Sequence, residues 1–190
     1  MRAPWLLLIL LAVAQADSMK DAIALGRTSD QALYDSFNAA YALSVAPPVE
    51  SAEIITEFRR AVLSVRARVD QGDYVVEPSD LANAVAPYRG LVTFIVKVTL
   101  NPLNTFPKPP TYDLYVATGP STGPIASPSL KRFGIYPMGA VGPGNPLIGI
   151  RLEATFPQAE IAGAAKPSLV LTDEHGGVIW QTRIDVTRYR

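Results

Sequence analysis

Apolar and polar positions alternate with period two over Gly90–Leu100. Val92, Phe94, Val96, Val98 and Leu100 fall on one side, and Thr93, Lys97 and Thr99 on the other, with Leu91 and Ile95 breaking the polar row. Successive strand residues point to opposite faces, so this pattern predicts a core strand with one continuous apolar face. The β-branched and aromatic content suits a pleated, half-buried surface. The same period recurs at Tyr112–Thr118, around Leu130–Tyr136, and at Ile148–Phe156, where Ile148, Ile150, Leu152, Ala154 and Phe156 form the inward row. Ser168–Thr172 and Val178–Val186 read as a closing hairpin around Asp173–Gly177, a five-residue loop ending in Gly-Gly with a left-handed position. Val178, Trp180, Thr182, Ile184 and Val186 share one face of that last strand.

The first half carries a different period. Leu33, Phe37 and Tyr41 recur every four residues after Thr28-Ser-Asp-Gln31, a capping box. Pro47-Pro48 ends that helix. A second helix is predicted from Ser51 as N-cap, with Ile54, Phe58, Val62, Val65 and Val69 as its stripe and Gly72 as its terminator. The short connection makes the two an antiparallel helical hairpin. Ser79–Ala86 reads as a third, short helix before Pro87. Arg59, Arg60, Arg66 and Arg68 read as a solvated helix face with local pairs such as Glu57–Arg60 and Arg66–Asp70, in preference to a phosphate site.

Helices first and strands afterwards make the expected class α+β: a helical hairpin, then an antiparallel β-sandwich that resembles immunoglobulin-like folds in general architecture. The expected organisation is a signal peptide over 1–16, a helical hairpin with a short helix and linker over 17–88, and a sandwich domain over 89–190. The leader follows from the n-region of Met1–Pro4, the unbroken apolar run Trp5–Val13 and the small-x-small site Ala14-Gln15-Ala16. That run is far shorter than the roughly 20 residues of a membrane span, so no transmembrane segment is expected in the mature chain.

Composition narrows the functional classes. Basic and acidic side chains balance at 17 each in 190 residues. Loss of Arg2 with the leader leaves one excess acidic charge, which argues against a nucleic-acid or anionic-membrane surface. There is no cysteine, so the core must hold without disulfides. None of Asn38, Asn83, Asn101, Asn104 and Asn145 sits in a glycosylation sequon. An exported chain lacking both features fits a bacterial periplasmic or extracellular setting.

Candidate chemistry is sparse. The sole histidine, His175, lies in Asp173-Glu174-His175, where a hairpin tip explains it better than a metal or general-base role. Asp113, Glu153, Glu160 and Asp185 are acids of the type that hydrolyse sugars in pairs, but sequence gives no distance between them. Thr118–Pro124 lacks the Gly-Lys-Ser/Thr ending of a phosphate loop. No cofactor and no metal are expected. Ten of the 17 prolines fall between 101 and 146, around the aromatic and apolar residues Leu103, Phe106, Tyr112, Tyr136 and Met138. Loops at the end of a sandwich are a common place to meet a partner, and proline stiffens them. Leu103, Phe106, Tyr112 and Tyr136 are therefore the candidate binding residues, for a protein or glycan partner. The expected function is a non-catalytic binding or structural module. The rival is a secreted hydrolase using a carboxylate pair or His175 as acid and base.

Overall fold

The computed structural model describes residues 18–101, 110–119, 123–137 and 146–189. The expected leader, and Leu103, Phe106 and Met138 among the loop residues, lie outside that set. The chain divides into two compact units. One, the helical unit, comprises residues 18–40 and Thr56–Arg89. The other, the sheet unit, comprises Tyr41–Ile55 and Gly90–Tyr189. Among the described residues no helix is long and apolar enough to cross a membrane.

The helical unit holds four helices: α1 over 18–26, α2 Gln31–Ala39, α3 Glu57–Asp70 and α4 Pro78–Val85. A 3₁₀ turn, Ala86–Tyr88, follows α4. Met19, Ala22, Ile23 and Gly26 recur at helical spacing and face the core. They meet Phe58, Ala61, Val62 and Val65 of α3, with Leu81 and Val85 of α4 in the same cluster. Gly26 is required by this contact, because a Cβ there would stand 2.6 Å from the Val65 Cβ. The capping of α2 differs from the expected box. Asp30 is the N-cap, accepting a bond from the Leu33 N–H at 3.1 Å, and the Gln31 side chain donates forward to Asp35 at 2.7 Å.

The second expected helix is corrected at its start. Val49–Ile55 is a strand, β1, and α3 begins only at Glu57, capped by the Thr56 hydroxyl. Ile54 therefore belongs to a sheet, where it pairs with Phe94, and Tyr41 is buried beyond the end of α2, its ring 5.3 Å from that of Tyr189. The run Ile54-Ile55-Thr56 is β-branched, which suits a pleat better than a helix interior. A strand thus separates the two helices that were expected to form a direct hairpin.

Among its described residues, the sheet unit contains two four-stranded antiparallel sheets. In the first, the order is β1, β2 (Leu91–Thr99), β6 (Gly149–Pro157), β5 (Ser129–Ile135). In the second it is β4 (Ile125–Ala126), β3 (Asp113–Ala117), β7 (Ser168–Thr172), β8 (Val178–Arg183). A short helix α5, Gln158–Ala162, follows β6. The expected inward row of β2 is buried as read: Val92, Phe94, Val96 and Val98. It pairs in register with Phe156, Ala154, Leu152 and Ile150 of β6. The Phe94 and Phe156 rings meet edge to face, 5.7 Å apart. Thr93, on the other side, is also buried and shares a 2.9 Å hydroxyl contact with Thr155 across the strands. The last strand is shorter than expected. It ends at Arg183, and a register shift beside Thr172 leaves Val178 exposed while Trp180 stays buried.

Candidate functional site

Strand β5 is an edge strand, and most of its side chains are exposed. Beside it opens a cleft of about 320 Å³, lined by Pro110, Thr111, Arg132, Phe133, Gly134, Tyr136 and Ile150. Tyr136 and Phe133 keep 52% and 45% of their surface in solvent, unusual for large apolar groups so close together. Ile150, opposite Gly134 in the β5–β6 register, is buried.

Two contacts fix the cleft's polar side. The Arg132 Nε–H donates to the Tyr112 carbonyl at 2.8 Å. The same guanidinium pairs with the Asp113 carboxylate. Arg132 thereby ties the edge strand β5 to the start of β3, which lies in the other sheet. Across the strand, Arg151 forms a 2.5 Å ion pair with Glu153 and stands 6.0 Å from the Phe133 ring centre.

Gly134 shapes the apolar side. A Cβ there would come 3.0 Å from the Tyr136 Cε2, 3.1 Å from its hydroxyl and 2.8 Å from the Leu147 Cδ1. The Tyr136 ring thus lies against the bare backbone of its own strand, two residues back on the same face. A glycine in a strand often marks such a close approach.

Of the four expected binding residues, Tyr136 lines the cleft. Tyr112 gives it only a carbonyl. Its phenol is half-buried, and burial together with the nearby negative charge of Asp173 raises its pKa above the ordinary tyrosine value. Leu103 and Phe106 lie outside the described residues. Arg132, Phe133 and Gly134 were not among the expected site residues. The exposed aromatic in Leu130–Tyr136 was a signal for them, but the Arg132–Asp113 pairing joins two sheets and leaves no local trace.

Three of the candidates for acid–base chemistry are engaged in ion pairs or a cap, and two are exposed. Asp113 holds Arg132, and Glu153 holds Arg151. Asp185 caps the 3₁₀ turn Val186–Arg188, and bonds from the Thr187 hydroxyl and N–H hold its carboxyl below the usual carboxylate range. Glu160 is exposed on α5. His175 sits at the tip of the β7–β8 hairpin with 84% of its side chain in solvent, 3.6 Å from Glu174. Asp173 organises that tip by accepting the His175 and Gly177 N–H groups at 2.9 and 2.8 Å, and Gly176 takes the left-handed φ of 80°. Among the described residues, no group of three His, Cys, Asp or Glu side chains is placed to hold a metal ion.

The arginines of α3 are engaged within the helical unit. Arg66 pairs with Asp70 at 3.1 Å, Arg60 lies 3.7 Å above the Tyr88 ring centre, and Arg59 is buried with its guanidinium 3.4 Å from Asn38. Arg68 and Arg27 hold the loop after α3, whose tip presents the exposed Tyr74 and Val75.

The fold and cleft therefore define an α+β protein with an aromatic-rimmed recess at a sheet edge. No family model, no curated protein and no solved structure matches this chain.

Proposed function

We propose that this chain is an exported, non-catalytic binding or structural module of the cell envelope or secreted milieu. In this reading its two sheets stack as a β-sandwich of immunoglobulin-like general architecture. Its partner, a protein or a glycan, docks at the recess beside β5. The observation that carries the reading is the exposed ring of Tyr136 at a concave site that also presents Arg132, with Phe133 exposed beside it on the same edge strand. Recesses with an apolar lining and a few placed polar groups are the usual form of a binding site, and aromatics and arginine dominate binding energetics at interfaces. The n-, h- and c-regions of residues 1–16 support export.

Two measurements test it. Intact-mass analysis of protein from the native host should give a chain starting at Asp17; retention of Met1 would remove export from the reading. Capture from the host's own envelope extract should recover a partner with the wild-type chain and lose it with the Phe133→Ala, Tyr136→Ala double variant. Equal recovery by both would place the contact elsewhere.

A further inference from the structure

We propose that the recess beside β5 is a binding site for a neutral saccharide, an inference that rests on the binding-module reading above. Three features carry it.

The first is the aromatic platform. Because position 134 has no side chain, the Tyr136 ring settles over it, with its Cε2 and hydroxyl 3.0 and 3.1 Å from where a Cβ would stand, closer than a side chain there would ordinarily permit. A ring held this way loses little freedom when a ligand arrives, and such preorganisation lowers the cost of binding. The electron-rich face of an aromatic ring favours the electropositive C–H edges of a pyranose, which is flat and apolar on its two faces.

The second is the polar edge. Arg132 lines the recess with Asp113 paired to it, so the N–H groups the pairing leaves over stand beside a carboxylate acceptor, and both side chains keep solvent access. Every sugar hydroxyl is at once a donor and an acceptor. Vicinal hydroxyls therefore match a paired donor and acceptor in a way that a one-sided ligand does not.

The third is charge. The Arg132 guanidinium is already neutralised by Asp113 and bonded to the Tyr112 carbonyl. A phosphate or carboxylate would have to displace Asp113 or sit beside its negative charge. That selects a neutral ligand. Size agrees: about 320 Å³ lies at the small end of the roughly 300–1,000 Å³ span of ligand sites, whereas a stable protein interface needs about 800 Å² on each partner.

The test is titration of the purified full chain with cellohexaose, maltohexaose, chitohexaose and xylohexaose. Glucuronate and inorganic phosphate serve as charged comparators, and the readouts are calorimetry and amide chemical shifts. The expected result is binding of at least one neutral hexasaccharide, with shifts centred on residues 132–136. Tyr136→Ala should weaken that binding roughly tenfold or more, equivalent to about 1.4 kcal/mol, with an unchanged melting temperature. Gly134→Val, which displaces the ring but keeps it, should weaken it comparably; if that variant does not fold, Tyr136→Ala decides. Absence of binding to all four sugars, binding that Tyr136→Ala leaves intact, or a preference for glucuronate or phosphate overturns the proposal. Capture of an envelope protein that Tyr136→Ala abolishes, without saccharide binding, also overturns it while sustaining the broader module reading.

Discussion

Asp73 organises the loop that follows α3. One oxygen of its carboxylate takes the Arg68 guanidinium at 2.6–2.7 Å, and the other accepts the Val75 N–H at 3.1 Å. Arg68 then reaches the Val75 carbonyl, and Arg27 the Tyr74 carbonyl, so the exposed Tyr74–Val75 tip is held from three directions. The hydrogen bond from Arg68 is the main cause that lowers the Asp73 pKa; desolvation opposes it, and the Val75 N–H and the charges of Arg68 and Arg27 add to the lowering. A carboxyl with a lowered folded pKa contributes stability that is complete above its unfolded value, about 4. That contribution is lost as pH falls through the folded value. Asp73→Asn should therefore loosen residues 73–76 at neutral pH, with the difference from wild type vanishing in acid; amide hydrogen exchange from pH 6 downward measures it, and a gap that persists at the acid end would refute the assignment. His175 lies at the opposite extreme. With most of its ring in solvent, His175→Gln should change stability by less than about 0.5 kcal/mol, read from urea midpoints, and a larger loss would mean that the tip has an undetected partner. Local pairs such as Arg66–Asp70 were legible because they are one helical turn apart. The burial of Arg59 was not, since its neighbour Asn38 lies 21 residues away.

Elements were legible where their periodicity is strict and their partners share it. The inward row of β2 was readable because it alternates without a break, and β6 repeats the pattern on the strand that pairs with it. Phe94→Ala should accordingly cost about 3–5 kcal/mol, while Lys97→Ala, on the mixed face, should stay within about 0.5 kcal/mol. Similar denaturation midpoints for the two would contradict the register. β1 was misread because Ile54, Phe58, Val62 and Val65 sit near four-residue spacing, which fits a helix, and Ser51 offers a cap. What makes Val49–Ile55 a strand is its pairing with β2, a partner some 40 residues later that no local window contains. α1 went unread because its apolar positions Met19, Ala22 and Ile23 adjoin the run expected to be a leader and include small residues. Its packing on α3 supplies a prediction. Alanine is the better helix former by about 1 kcal/mol, yet a methyl group on Gly26 would meet the Val65 Cβ at 2.6 Å and the Val62 carbonyl at 2.9 Å. Overpacking costs typically 1–3 kcal/mol, and a backbone carbonyl cannot step aside. Gly26→Ala should therefore lower the thermal midpoint, and a rise would show that α1 and α3 are not in such close contact. At the site, the aromatic Tyr136 was legible as a loop residue, while Gly134 beneath it was not, because its meaning is the ring it makes room for.

On the scale of the whole molecule, the chain passes from helical unit to sheet unit at residue 41, returns at 56 and crosses again at 90. β1 therefore belongs to the sheet unit while both its neighbours along the chain belong to the helical one. A chain ended after Gly90 contains every described segment of the helical unit but leaves β1 without β2. Such a fragment should show helical circular dichroism and resist limited proteolysis, except over residues 41–55, which should be cut first. Protection of 41–55 in the fragment would mean that β1 is ordered without its sheet. The same threading governs the order in which a growing chain can mature. The described segments of the helical unit are all made once residue 89 has been added, yet β1, already synthesised, must wait for β2, and that pair must wait again for β6 at 149–157 before the centre of its sheet is flanked on both sides. Contacts that close long stretches of chain form slowly. A nascent chain of this protein therefore carries a ready strand with no partner while residues 56–99 are made, an interval in which an unpaired edge invites association with other chains.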